Sequence, residues 1–247
     1  MAAPTIEVRE VTKSFGTAQV LKGVSLDILA GKINFIIGRS GEGKSVLLKI
    51  LTGLYRPDSG SVNYGQLNLA KAKTREINKL RRRMGLLFQE GALFDSMTVG
   101  ENVIFPLWFH NLAKPAEANK KALDILGELG MARYFNLSVA LLSTGEKKRV
   151  ALARALIVDP EVVFFDEPTT GLDPLLGSQV DELIVHAQKV SQATVVVVSH
   201  DMAATLSLAD RVTLLRLGQV VLSGSPDQFR KSPDREVVNF LSGGELA

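Results

Sequence analysis

The chain has 247 residues, 46% hydrophobic and 22% charged, with 29 Lys and Arg, 26 Asp and Glu, 21 Gly, 9 Pro and no Cys. That hydrophobic content excludes a disordered chain, the length is ample for a buried core, and the missing cysteine excludes a disulfide framework or a thiolate metal site. No apolar run approaches the roughly 20 residues that span a bilayer, and the N-terminus lacks a signal peptide's basic-then-apolar build, so a soluble, intracellular product is expected.

Strands are predicted at Ile6–Val11 and Val24–Ile28, as a small antiparallel addition ahead of a third strand, Ile33–Ile37. Directly after it, Gly38-Arg39-Ser40-Gly41-Glu42-Gly43-Lys44-Ser45 matches G-x-x-x-x-G-K-[ST] and opens a predicted helix over Lys44–Leu54. Glycines there let backbone N–H groups curl around a phosphate, and the helix N-terminus adds its dipole. Lys44 is then expected to reach β- and γ-phosphates, and the Ser45 hydroxyl to ligate Mg2+. Glu42 is an acid inside this anion cradle. Its position needs only its backbone, so its side chain is expected to point to solvent.

The net charge of +3 is local. Lys71, Lys73, Arg75, Lys79, Arg81, Arg82 and Arg83 stand against Glu76 in one window of +6, which leaves −3 for the other 234 residues. The window reads as a solvated helix face, with anionic lipid or an acidic partner as the alternative. Nucleic acid is disfavoured, because no aromatic is interleaved for base stacking. A strand at Met84–Phe88 follows, and Gln89 leaves it with an amide that could reach Mg2+ or an attacking water. Residues 88–109 then hold Phe88, Phe94, Phe105, Trp108 and Phe109, five of the chain's 15 aromatics. Some are expected in the core of a helical insertion, and an exposed share would line a groove for a partner's amphipathic helix.

Helices are predicted at Pro115–Leu129 and Ser143–Ile157, the second opened by Leu142-Ser143-Thr144-Gly145-Glu146, whose helix N-terminus is expected to form a second anion site. The run Val162-Val163-Phe164-Phe165-Asp166-Glu167 reads as a strand, Val162–Asp166, ending in two carboxylates. About 120 residues after a Gly-Lys-Ser loop, Asp166 is placed to hold Mg2+ through a water and Glu167 to polarise the attacking water. A helix over Leu175–Gln192 precedes the strand Thr194–Ser199, which delivers His200 towards a γ-phosphate. Strands at Val212–Leu217 and Val220–Ser223 and a helix at Arg235–Leu241 complete the pattern. Taken singly, Gln89, His200 and the 142–146 segment read equally well as a surface amide, a loop histidine and a capped helix. His110 and His186 show no partner in the sequence. The unbroken runs Val195–Val198 and Val162–Phe165 fit strands buried on both faces, as in a parallel sheet covered by helices. No linker separates independent domains, so one α/β unit with a helical insertion near 90–160 is expected.

The order of these motifs resembles the ATP-binding subunit of ABC transporters across essentially the whole chain. The resemblance implies a P-loop (RecA-like) ATPase core with a parallel sheet, an N-terminal antiparallel β addition and a helical signature subdomain, all in one domain, 1–247. It makes Phe15 the aromatic that stacks on adenine, Gly38–Ser45 Walker A, Gln89 the Q-loop and Leu142–Glu146 the signature. Asp166 and Glu167 become Walker B, with Glu167 the catalytic base, Asp173 the D-loop and His200 the switch histidine. It also implies Mg-dependent ATP hydrolysis in a homodimer, with Ser143 and Gly145 serving the opposite subunit's ATP. Thr144 and Glu146 depart from the usual Leu-Ser-Gly-Gly-Gln signature, and Lys147, Lys148 and Arg149 are expected to offset the added charge.

Within the family, Phe88–Val99, Glu101–Leu107, Phe165–Pro174 and Val237–Leu241 look most like Mla/Mce-type lipid-transport ATPases. That likeness implies a separate permease dimer, an Mce-domain protein, sometimes a small STAS-like subunit, and a peripheral position on the inner face of the bacterial cytoplasmic membrane. Polar amino-acid importers share much of the pattern, so small-solute import stays open. A soluble DNA- or ribosome-associated ATPase would usually carry a coiled-coil insertion or two fused halves, and this chain has neither.

Overall fold

Strands that must be covered on both faces are the most apolar segments of the chain, and the computed structural model buries them along their length. It describes residues 5–88 and 92–242. The elements run β1 (Ile6–Phe15), β2 (Ala18–Ile28), β3 (Ile33–Ile37), α1 (Lys44–Leu51), β4 (Ser59–Tyr64), β5 (Leu67–Asn68) and α2 (Thr74–Arg81). There follow β6 (Met84–Leu87), α3 (Val99–Phe109), α4 (Pro115–Glu128), α5 (Thr144–Leu156), β7 (Val162–Asp166) and α6 (Pro174–Ser191). The last are β8 (Thr194–Ser199), α7 (Met202–Leu208), β9 (Arg211–Arg216), β10 (Gln219–Gly224), α8 (Pro226–Arg230) and α9 (Arg235–Leu241). The fold is mixed α/β. Its contacts divide it into two units, Met1–Arg81 with Thr194–Ala247, and Arg82–Ala193.

The first unit holds the expected antiparallel addition, enlarged. Its strands lie in the order β2-β1-β4-β5, and β1 runs four residues past the predicted end, to Phe15. β4 was hidden in the sequence by its Ser-Gly-Ser start. Gly60 is required there, because a Cβ would stand 2.3 Å from the carbonyl oxygen of Glu10. Beside this sheet, β3 is parallel to β8 on one side and to β9 on the other, and β10 closes the edge antiparallel to β9. The 71–83 basic window is partly structural: Arg81 donates to the carbonyls of Thr52 and Gly53 just past α1, where a cation complements the helix dipole.

In the second unit β6 and β7 are parallel, from Met84 opposite Val162 to Leu87 opposite Phe165. α5 packs against β6 so closely that a Cβ on Gly85 would lie 2.6 Å from the Ala155 carbonyl oxygen. Arg83 pairs with Glu161 at the start of this strand pair. The sequence did not reveal α3 as a helix, since Pro106 interrupts it and its apolar residues form no clear stripe. A capping box of Thr98 and Glu101 starts it. Among the described residues no helix is long and apolar enough to cross a membrane.

Candidate nucleotide-binding site

β3 ends at Ile37, whose Cα partners are Ser199 on β8 and Leu214 on β9. In this register the turn after β3 and the first residue after β8, His200, leave the same edge of the strands, where ligands of parallel α/β sheets bind. Gly38 has no room for a side chain, because its Cβ would meet the Leu215 carbonyl oxygen at 2.4 Å. Gly41 (φ 81°) and Gly43 (φ 99°) take left-handed conformations that a side chain would strain. Gly43 is the N-cap of α1, so no side chain caps this helix and its first turn carries no acid. An uncapped helix start facing a glycine loop fits a phosphate.

Lys44 is only 5% exposed. Its ammonium donates to the carbonyl oxygens of Gly38 and Arg39 at 2.8 and 2.9 Å, so one positive charge sits inside the loop. Glu42 corrects an expectation. Its side chain is half-buried rather than turned to solvent, and Oε2 accepts the Arg39 N–H at 2.9 Å. A backbone donor inside a loop needs an acceptor, and Glu42 supplies one. At the far end of β1, Phe15 is 45% exposed and meets the ring of Tyr55, a neighbour with no periodic signal in the sequence.

In the second unit β7 ends in half-buried Asp166, and Glu167 follows with φ 47°. A left-handed non-glycine residue is uncommon, and such strain gathers at functional sites. The Glu167 carboxylate accepts the Thr170 hydroxyl at 3.1 Å. Asp173 caps α6, accepting the Leu176 N–H at 2.9 Å. Gln89 lies outside the described residues.

α5 is capped by its own side chains. Ser143 Oγ accepts the Glu146 N–H, and Glu146 Oε2 accepts the Ser143 N–H at 2.9 Å and its hydroxyl at 2.8 Å. Those Ser143 hydrogen bonds hold the Glu146 carboxyl below its ordinary range. This signature departure therefore has a local role. Lys148 does not offset its charge as expected: it is buried, donates to the Pro168 carbonyl, and burial lowers its pKa. Arg149 likewise turns away, to Gln179 at 2.8 Å. Gly145 is tight for packing, since a Cβ would touch Leu176 at 3.0 Å.

The aromatics of 88–109 also differ from expectation. None of the five is buried. Phe105 centres a cluster, with Phe94 at 4.7 Å, Phe109 at 5.6 Å and Trp108 at 6.0 Å between ring centroids. Trp108 is 68% exposed and Phe109 64%. Of the two unassigned histidines, His186 lies 3.3 Å from Glu128. Burial, then the Arg82 charge, lowers the pKa of His110.

A parallel α/β core, a glycine loop closed on a buried lysine and an uncapped helix behind it define a P-loop nucleotide-binding protein. The chain belongs to the ABC transporter family, whose model matches residues 21–170. It is 35% identical to a probable ribonucleotide transport ATP-binding protein, mkl, of Mycobacterium leprae, over 98% of this chain and 70% of that one. It is 35% identical to the intermembrane phospholipid transport system ATP-binding protein MlaF of Haemophilus influenzae, over 96% and 90%. To the arginine transport ATP-binding protein ArtM of Bacillus subtilis it is 37% identical, over 96% and 98%. Among solved structures, the dimeric post-hydrolysis state of the ATP-binding cassette MJ0796 with ADP and Pi superposes with a TM-score of 0.80. That match is at 32% identity over 90% of this chain and 98% of that one. This chain is thus the ATP-binding, ATP-hydrolysing subunit of an ABC transporter.

Proposed function

We propose that the chain powers phospholipid or other lipid transport through a separate membrane-embedded permease dimer, working as a homodimer at the inner face of the bacterial cytoplasmic membrane. The observation that carries the permease contact is the cluster around Phe105, which leaves Phe94, Trp108 and Phe109 exposed on and beside α3. Such a cluster suits an amphipathic helix laid into a groove. The lipid assignment is supported by likeness to MlaF across 96% of the chain. On this reading an Mce-domain protein and a small STAS-like subunit complete the assembly. The whole chain acts as one ABC ATPase domain, with residues near 90–160 as its helical subdomain.

The site residues divide the work. Gly38 to Ser45 cradle the phosphates, Lys44 neutralises them, and Phe15 stacks on the adenine. Ser45, Asp166 and Gln89 would hold Mg2+; a hydroxyl, a carboxylate and an amide oxygen are the hard donors that ion takes. When bound, the metal supplies charge neutralisation at the phosphate oxygens. Glu167 orients and polarises the attacking water, and His200 contacts the γ-phosphate. Ser143 and Gly145 act on the ATP of the opposite subunit, with Asp173 as the D-loop residue of the nucleotide site, so two copies close over two nucleotides.

Likeness to ArtM favours a second reading, import of an amino acid or another small solute. Mass spectrometry of the permease complex purified from detergent-solubilised membranes separates the two. Phospholipid retained above the level in a control membrane protein supports lipid transport. A retained polar solute with background lipid contradicts it.

A further inference from the structure

Stacking on a base needs a ring held in one orientation, and an exposed phenyl turns among rotamers unless neighbours fix it. Phe15 has such neighbours. Tyr55 stands 5.5 Å away between ring centroids, with the planes inclined at 62°. That is the edge-on arrangement aromatic quadrupoles favour. The Lys13 ammonium lies 5.7 Å from the Phe15 centroid, and it is pinned by Asp58 at 2.6 Å. The other Asp58 oxygen accepts the Ser14 N–H at 2.6 Å, so the strand end that carries Phe15 is tied to the segment after α1.

Tyr55 is anchored in turn. Its N–H donates to the Lys49 carbonyl at 3.0 Å, and the Lys49 ammonium lies 5.5 Å from its ring centroid. Lys49 belongs to α1, the helix that Lys44 opens. Contacts therefore run from the phosphate helix through Lys49 and Tyr55 to Phe15. Lys44 and Lys49 are separated by about 1.4 helical turns.

We propose that Tyr55 is a positioning residue for nucleotide-base recognition: it references the Phe15 ring to α1, and so sets the base platform at a fixed distance from the phosphate loop. This rests on the reading of Phe15 as the base-stacking residue. Tyr55 acts through Phe15 and does not touch the phosphates. Its removal should therefore weaken ligands that carry a base and spare those that do not.

The test measures binding of ATP and of inorganic tripolyphosphate to the full chain by calorimetry, with steady-state ATPase kinetics alongside. Tyr55→Ala should weaken ATP about two- to tenfold, the scale of one aromatic pair. It should raise KM with kcat unchanged, and leave tripolyphosphate affinity as in the parent. That last arm also reports that the loop is folded. Tyr55→Phe, which keeps the ring, should restore ATP affinity. In a Phe15→Ala background Tyr55→Ala should add nothing, because the two act as one unit. Equal losses for ATP and tripolyphosphate, or fully additive effects of the two substitutions, would overturn the positioning role. So would unchanged ATP binding in Tyr55→Ala beside weakened binding in Phe15→Ala. Unchanged binding in Phe15→Ala alone would instead overturn the stacking reading beneath it.

Discussion

The ammonium of Lys44 lies 2.8 Å from the carbonyl oxygen of Gly38, six residues before it, and closes the glycine loop on itself. One cation thereby holds the loop's shape and supplies charge at the uncapped start of α1. Charge-assisted hydrogen bonds contribute roughly 1.5–3 kcal/mol each. Lys44→Ala should therefore weaken ATP binding about ten- to a hundredfold in a calorimetric titration. Affinity within twofold of the parent would contradict this role.

Glu42 works against the same ligand. Its carboxylate accepts the Arg39 N–H within the loop, and a negative charge there opposes a triphosphate. At about 4 Å in a water-like medium that repulsion is on the order of 1 kcal/mol. Glu42→Gln should tighten ATP up to about fivefold, with the gain shrinking as salt is added. A loss of affinity would mean that the stronger, charged acceptor it gives the Arg39 N–H outweighs its repulsion of the ligand.

The capping box of α5 makes two predictions about stability. Ser143→Ala removes an N-cap and should cost about 1 kcal/mol, read from a urea unfolding curve. Hydrogen bonds from Ser143 lower the Glu146 pKa from its ordinary 4.5. The folded value is thus below the unfolded one, so this contribution is present above about pH 4.5 and is lost as pH falls through the folded value. The Tm gap between the parent and Glu146→Gln should accordingly narrow between neutral pH and pH 3. A gap that is constant or widens on acidification would contradict the cap.

Trp108 tests the permease contact. It is 68% exposed on α3, and exposed side chains usually change stability by less than about 0.5 kcal/mol. At an interface, a buried Trp is among the residues that cost about 2 kcal/mol or more when truncated. Trp108→Ala should keep its Tm and lose binding to the purified permease by about thirtyfold. Unchanged binding would move the docking surface elsewhere.

What was legible in the sequence was local. Gly38–Lys44 and Val162–Asp166 each join a strand to its functional end within a few residues, so hydrophobic runs and turn chemistry placed them. His200 follows Ser199, whose Cα partner is Ile37, so it leaves the same strand edge as the turn after β3. The side-chain directions were not legible. Glu42 turns inward for one backbone N–H, and Lys148 crosses to Pro168 instead of facing Glu146. Tyr55 meets Phe15 only after β1 and the end of α1 come together. β4 and α3 are hidden in the local pattern because their residues look like turns and an aromatic patch until cross-strand pairing and a capping box order them. Each of those facts depends on a partner that the local pattern does not contain.

In the proposed cycle two copies close over ATP, and Glu167 opens them by driving hydrolysis. Glu167→Gln keeps the shape of the side chain and removes its basicity, so it should bind Mg-ATP, fail to turn it over and accumulate as a closed dimer. Light scattering on that variant with saturating Mg-ATP measures this directly. A mass of twice 26.7 kDa with ATP, reverting to one chain with ADP, is the predicted result. A variant that stays monomeric with bound Mg-ATP would contradict closure of two copies over the nucleotide.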